Sequence, residues 1–242
     1  MSAALQAAWR LLGGGTVTPR VHPRIPAPSA MAMAAARFLR LPLTRGRYRA
    51  CYPDAVNHSG LKSSLLVAMP QLQDPNFHRT VLLMVEHDTS ASFGLVLNRP
   101  AGLLLSELFS SLQLEWRGSS EATVAWGGPV EPSSGWMLFG DCPFLMADDE
   151  QVSPVAPGIN FGGSVDVFQQ VAESPPPMLR FFLGYSGWGP GQLEFEIAQG
   201  TWLSADAVPK VIFEVPPEQM WDTVVRGLGI DPSSLVSTTG VH

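Results

Sequence analysis

Residues 64–69 form a continuous apolar run that stops at Pro70, the pattern of a strand covered on both faces. A polar loop follows over residues 71–79. Residues 80–85 make a second such run, closed by Glu86-His87-Asp88, and residues 93–97 a third, closed by Asn98-Arg99-Pro100. The link between the second and third runs is short and polar, so the two are expected to pair as a hairpin. Leu105, Leu108, Phe109 and Leu112 then recur at helical spacing over residues 105–114, with Ser106 or an earlier residue as cap.

Beyond that helix the pattern shortens. Residues 123–126 read as a strand running into Gly127-Gly128-Pro129-Val130, and residues 135–139 as its partner. Ser164 is placed to cap a helix over 165–172, closed by Pro175-Pro176-Pro177. Residues 178–183 form an apolar strand broken only by Arg180. A helix is expected from Pro190, ending at Gly200, then a short strand at Val211-Ile212-Phe213. Pro217 opens a last helix, in which Trp221, Val224, Val225 and Leu228 form one stripe. Strands and helices do not alternate regularly, so the fold class is α+β rather than a doubly wound sheet.

Length and composition sharpen this reading. The chain has 242 residues, compatible with one or two domains, and 23 glycines with 22 prolines, which fit short elements and many turns. Its 45% apolar content supports a sizeable core, and no stretch is long and apolar enough for a membrane-spanning helix. Charge divides the chain. Residues 1–58 hold eight arginines against one acid, Asp54, a net +7; residues 59–242 hold seven bases against twenty acids, a net −13. That asymmetry marks a leader joined to a domain. The leader's frequent prolines and lack of period argue against fold, so it is expected to be disordered. It reads as a transit peptide or as sequence upstream of a misassigned start, with the domain over 59–242. The domain carries one cysteine, Cys142, so no disulfide can form within it, which fits a reducing compartment.

The search for chemistry mostly excludes. The domain has two lysines, Lys62 and Lys210, neither after a glycine-rich loop, and no phosphate-binding spacing. Its acidity disfavours direct DNA binding, which draws on Lys and Arg. Gly184-Tyr185-Ser186-Gly187-Trp188 lies between a predicted strand and helix, as a nucleophile elbow would. Trp188 stands where that sharp turn needs a small residue, and only the terminal His242 follows the serine. Glu86-His87-Asp88 offers ligand types side by side, but adjacent strand residues point apart, and no Cys pair or His pair joins them. No metal or cofactor is therefore expected. The glycine- and aromatic-rich stretch from Gly184 to Glu194 implies special backbone geometry, either a structural corner or the wall of a pocket.

Several of these stretches resemble one family. The sequence Leu66-Val67-Ala68-Met69-Pro70-Gln71-Leu72-Gln73-Asp74-Pro75-Asn76-Phe77 is similar to the opening signature of the YqgE/AlgH family. So are Val85-Glu86-His87, residues 94–100, Gly127-Gly128-Pro129-Val130, residues 183–194 and Leu228-Gly229-Ile230-Asp231. The resemblance covers about residues 61–242. It implies a single α+β domain whose mixed sheet is branched and partly barrel-like, flanked by helices. It implies no reaction: the family is largely uncharacterised, and no DNA-binding module stands behind its nominal label as a transcriptional regulator. Members are mostly bacterial cytoplasmic proteins, with organellar relatives in plants, so cytoplasm is expected, or a plastid or mitochondrion if the leader is a transit peptide. Asp74, His87, Asn98, Arg99, Tyr185, Gln192 and Glu194 match its polar signature positions and are the candidate pocket residues. The expectation is a non-enzymatic binding or regulatory protein with a protein or small-molecule partner; the alternative is a hydrolase built on Asp74, His87 and Glu194.

Overall fold

The structure, a computed structural model, describes residues 61–146 and 152–236. The Arg-rich leader and His242 lie outside the described residues. Among the described residues, ten strands form one branched, mostly antiparallel sheet: β1 (Ser64–Ala68), β2 (Val81–His87), β3 (Ser92–Val96), β4 (Pro100–Leu104), β5 (Thr123–Trp126), β6 (Val130–Phe139), β7 (Val152–Ala156), β8 (Ile159–Gly162), β9 (Leu179–Trp188) and β10 (Trp202–Asp206). The described helices are α1 (Leu105–Ser111), α2 (Pro143–Met146), α3 (Val165–Glu173), α4 (Gln192–Ala198), α5 (Pro209–Glu214), α6 (Pro217–Gly227) and α7 (Pro232–Val236). The architecture is thus the expected α+β class with helices flanking a curled sheet.

The main path of the sheet runs β10-β1-β2-β3-β9-β6-β8-β7. It curls until the Ser63 hydroxyl, just before β1, donates to the Val155 carbonyl of β7. The concave face of this half-barrel is apolar, with Leu65, Val67, Leu83, Leu95 and Phe182 packed against Ile212 of α5 and Met220, Trp221 and Val225 of α6. Trp221 satisfies its indole N–H on the Ala68 carbonyl at 2.8 Å, so this large ring is buried without an orphaned donor. On the outer side, α1 and α3 cover β5, β6 and β9. Leu193 of α4, with Phe77 of the 71–79 loop, covers β1, β2 and β3. Each sheet face is therefore buried, which is why the early strands read as unbroken apolar runs.

Strand β9 is the branch point. Its Phe181–Leu183 segment pairs with β5 on one side, in parallel, and with β6 on the other, antiparallel. Its Ser186–Trp188 end pairs with β3. Residues 123–126 and 135–139 are therefore not partners of each other, as their sequence order suggested; both pair with β9, which runs between them. The expected hairpin of β2 and β3 is present.

Three further expectations are corrected. Gly184 to Trp188 is not a turn but the end of β9, and the turn comes later, at Gly189–Gly191. The glycines there serve a close approach between backbones. A Cβ on Gly128 would sit 2.2 Å from the Tyr185 carbonyl carbon, and one on Gly184 2.4 Å from the Gly128 oxygen. Residues 211–213 are helical, in α5, because Pro209 at the first helical position presets the backbone and Ile212 alone of the three is fully buried. Helix α1 is capped neither by Ser106 nor by another hydroxyl: the Glu107 carboxylate reaches back to the Leu104 N–H at 3.1 Å. Ser164 does cap α3, its Oγ accepting from the Val167 N–H.

Candidate functional site: the braced helix at the end of β9

The last residue of β9, Trp188, is followed by Gly189, Pro190 and Gly191. Gly191, at φ +71°, turns the chain into α4. A β-bulge between Met84 and Glu86 resets the alternation of β2, so that His87 lies opposite Ser92 of β3 and shares its face. There the His87 Nδ1 and the Ser92 hydroxyl are 2.7 Å apart, and the His87 Nε2 is 3.7 Å from the Glu194 carboxylate. The imidazole is fully buried beneath α4.

Two residues along the helix, Glu196 is the hub of the site. Its Oε2 accepts the indole N–H groups of Trp188 (3.0 Å) and Trp202 (2.9 Å), and its Oε1 accepts from the Gln192 amide at 2.9 Å. The Gln192 carbonyl oxygen in turn accepts from the Gly189 N–H. Phe77 stacks on Trp188 with ring centroids 6.5 Å apart and meets Trp202 edge-on at 5.8 Å. Three of the carboxylate's roughly four lone-pair sites are thus taken, so Glu196 is built to hold two tryptophans rather than to move a proton. Helix α4 is thereby fixed from beneath on both sides of Phe195, which projects outward with 65% of its surface exposed.

The seven candidate residues are dispersed over three places. His87, Gln192 and Glu194 meet at α4. Asn98, Arg99 and Asp74 hold the 71–79 loop: Asn98 accepts from the Val81 N–H and donates to the Arg79 carbonyl, both at 2.9 Å, and Arg99 donates to the His78 carbonyl at 2.6 Å. The Asp74 carboxylate accepts from the Asn76 N–H at 2.8 Å within its own turn. Tyr185 lies on the concave face, against Phe93 with centroids 4.8 Å apart and edge-on to Trp136. Burial, and next the Glu131 carboxylate, push its phenol well above the usual tyrosine range. Of the three residues of the hydrolase alternative, His87 and Glu194 are brought together, while Asp74 makes its side-chain bond in the 71–79 loop. Sequence reasoning missed Ser92, Glu196 and Trp202. The Gln192–Glu196 spacing of four on a helix was a usable signal for the first link of that network; the Trp188 and Trp202 bonds depend on long-range packing. No cluster of three metal-ligating side chains occurs among the described residues.

A branched half-barrel with a braced acidic helix on its outer face defines the class of protein. A family model described as AlgH-like matches residues 65–233. A UPF0301 protein of Myxococcus xanthus is 44% identical over 183 residues, covering 75% of this chain and 98% of the relative. One from Anaeromyxobacter dehalogenans is 36% identical over 186 residues, covering 74% and 93%. The solution structure of the AlgH protein from Pseudomonas aeruginosa superposes with a TM-score of 0.61 at 31% identity, covering 79% of this chain and all of that one. The chain belongs to the AlgH-like family, UPF0301, which is uncharacterised.

Proposed function

We propose that this chain is a binding or regulatory protein that works without turnover, and that α4 is the element its partner meets. The observation that carries the reading is the construction of α4. Glu194 and Glu196 are tied inward by His87, Trp188 and Trp202, yet Phe195 between them is left 65% exposed. A large aromatic on a rigid support is the usual anchor of a protein interface, because little side-chain entropy remains to be lost on docking. The partner surface that fits is an apolar pocket with a basic group at its rim, matching Phe195 and the partly exposed Glu194 carboxylate beside it. Residues 59–242 act as one body in this reading. Their net −13 disfavours direct contact with DNA, whatever the family's nominal regulatory label. We place the protein in the cytoplasm, or in a plastid or mitochondrion if residues 1–58 are a transit peptide. The described helices include none long and apolar enough to cross a membrane.

The test is affinity capture from the native source with the full chain and with Phe195→Ala. Phe195 is exposed, so truncating it leaves the fold intact. The expected result is one partner retained by the wild type and reduced at least about tenfold by the variant, the loss typical of a truncated anchor. Equal recovery by both proteins removes α4 from the reading. Turnover of any substrate, abolished by changing one side chain of the domain, overturns the reading as a whole.

A further inference from the structure

The concave face carries two polar side chains that the apolar packing there does not account for. The first is Trp136 of β6. It is 7% exposed, and its buried indole N–H has no hydrogen-bond partner. A buried donor left unpaired costs free energy comparable to a lost hydrogen bond, so such groups are rare and call for a cause. The second is Arg180 of β9. Its guanidinium donates to the carbonyls of Leu97 and Ile212, both neutral, and lies 5.5 Å from the centre of the Phe182 ring. No carboxylate of the described residues pairs with it, although the domain holds twenty acids. Burial lowers the pKa of Arg180 to about 10, the mark of a cation stripped of water without a counter-charge.

The two are neighbours. In the β6–β9 ladder Trp136 lies opposite Phe182, and Leu138 opposite Arg180. Trp136 and Arg180 are thus diagonal partners on one face, with side chains rooted about 7–8 Å apart. The benzo edge of Trp136 lies towards Gly163, so its N–H edge is turned away from that glycine. On its other side Trp136 meets Phe93, Phe161 and Tyr185, at centroid distances of 5.2, 5.3 and 6.1 Å. Phe93 and Phe161 are only partly buried, so the aromatic end is the less covered one. Glu131 acts electrostatically on Tyr185 at that same end and repels an anion there.

We infer that the concave face binds an amphipathic monocarboxylate, its head group between Trp136 and Arg180 and its apolar body against Phe93 and Phe161. The carboxylate takes the orphaned indole N–H and supplies the missing counter-charge. The site lies across the sheet from α4, so it goes beyond the proposed partner surface and its test is independent of that surface.

The full chain is titrated calorimetrically with 3-phenylpropionate and with decanoate, then with the methyl ester of the first and with inorganic phosphate. Saturable binding of at least one free acid is expected, with the ester and phosphate bound at least about tenfold more weakly, since each loses a charge-assisted contact or the apolar one. Trp136→Phe keeps an aromatic side chain but removes the donor and should weaken the acid about fivefold to tenfold. The indole proton resonance missing from that variant should move downfield in the wild type on binding. Absence of saturable binding by both acids overturns the inference, as does binding that esterification leaves unchanged. Uptake of phosphate in preference to either acid overturns it too. The ester and phosphate arms need no variant, so a Trp136→Phe protein that fails to fold leaves the test intact.

Discussion

Glu196 shows how one side chain can set the geometry of a surface element. Two indole N–H groups, fourteen residues apart in sequence, meet on the same carboxylate oxygen. Replacing it by Gln leaves one acceptor oxygen for three donors and turns an amide N–H₂ towards one of them. Replacing it by Ala strands both indoles of buried tryptophans. Each buried donor left unpaired costs about 1–3 kcal/mol. Glu196→Ala is therefore expected to lower stability by about 2–4 kcal/mol and Glu196→Gln by about half as much, read from urea midpoints. A red shift of tryptophan emission should accompany the Ala variant as Trp188 and Trp202 meet water. An unchanged midpoint in Glu196→Ala would show that the indoles find other acceptors. At this scale the sequence was partly readable. Asn98 and Arg99 stood out as polar residues ending an apolar run, and they hold the neighbouring loop. Glu196 did not stand out, because an acidic residue on a short helix looks like a solvated one until the strands that bring Trp188 and Trp202 together are known.

Among the elements, β9 decides the topology, and its glycines decide β9. The crossing of residues 127–130 over residues 184–186 leaves no room for a side chain: a Cβ on Gly128 meets the Tyr185 carbonyl carbon at 2.2 Å. Gly102 has an equally special backbone, φ +71°, but nothing within 4 Å of the position a Cβ would take. The two glycines therefore separate steric need from conformational need. Gly102→Ala should cost on the order of 1 kcal/mol, the strain of a left-handed alanine. Gly128→Ala should cost on the order of 4 kcal/mol or leave the chain unfolded, because backbone and not a flexible side-chain tip must move. Thermal unfolding of the two variants beside the wild type checks this, and equal losses would sink the account of the crossing. The apolar runs of β1, β2 and β3 and the capped, periodic α3 and α6 were legible because their signals are local. The branch at β9 was not, since a glycine-rich stretch after an apolar run looks the same whether it turns or pairs. Helix α5 was misread as a strand for a related reason: three apolar residues carry no period, and Pro209, which sets the helix, lies just outside them.

For the molecule as a whole, order along the chain is an incomplete guide to neighbours in the sheet: β1 pairs with both β2 and β10, and β9 with β3, β5 and β6. What composition did reveal was the charge of the body, and charge sets its response to alkali. Two groups on the concave face titrate in opposite senses. Tyr185 is held neutral by burial and then by Glu131, so its folded pKa lies above the unfolded 10.0. Above pH 10 the unfolded chain releases that proton while the folded chain keeps it. The contribution of Tyr185 is thus complete below pH 10 and is lost as pH rises past it. Arg180 runs the other way. Its folded pKa is lowered by burial to about 10, below that of an unfolded arginine, so burial of its charge is a cost at neutral pH that is relieved as pH climbs past about 10. Tyr185→Phe removes the first effect and keeps the second. Phenylalanine retains the stacking on Phe93, so the variant should fold. Its urea midpoint should fall less steeply than that of the wild type between about pH 9 and pH 11, the range over which an unfolded tyrosine titrates. Parallel midpoint curves for the two proteins would mean that the phenol titrates as freely folded as unfolded, and that the concave face is wetter than its packing implies.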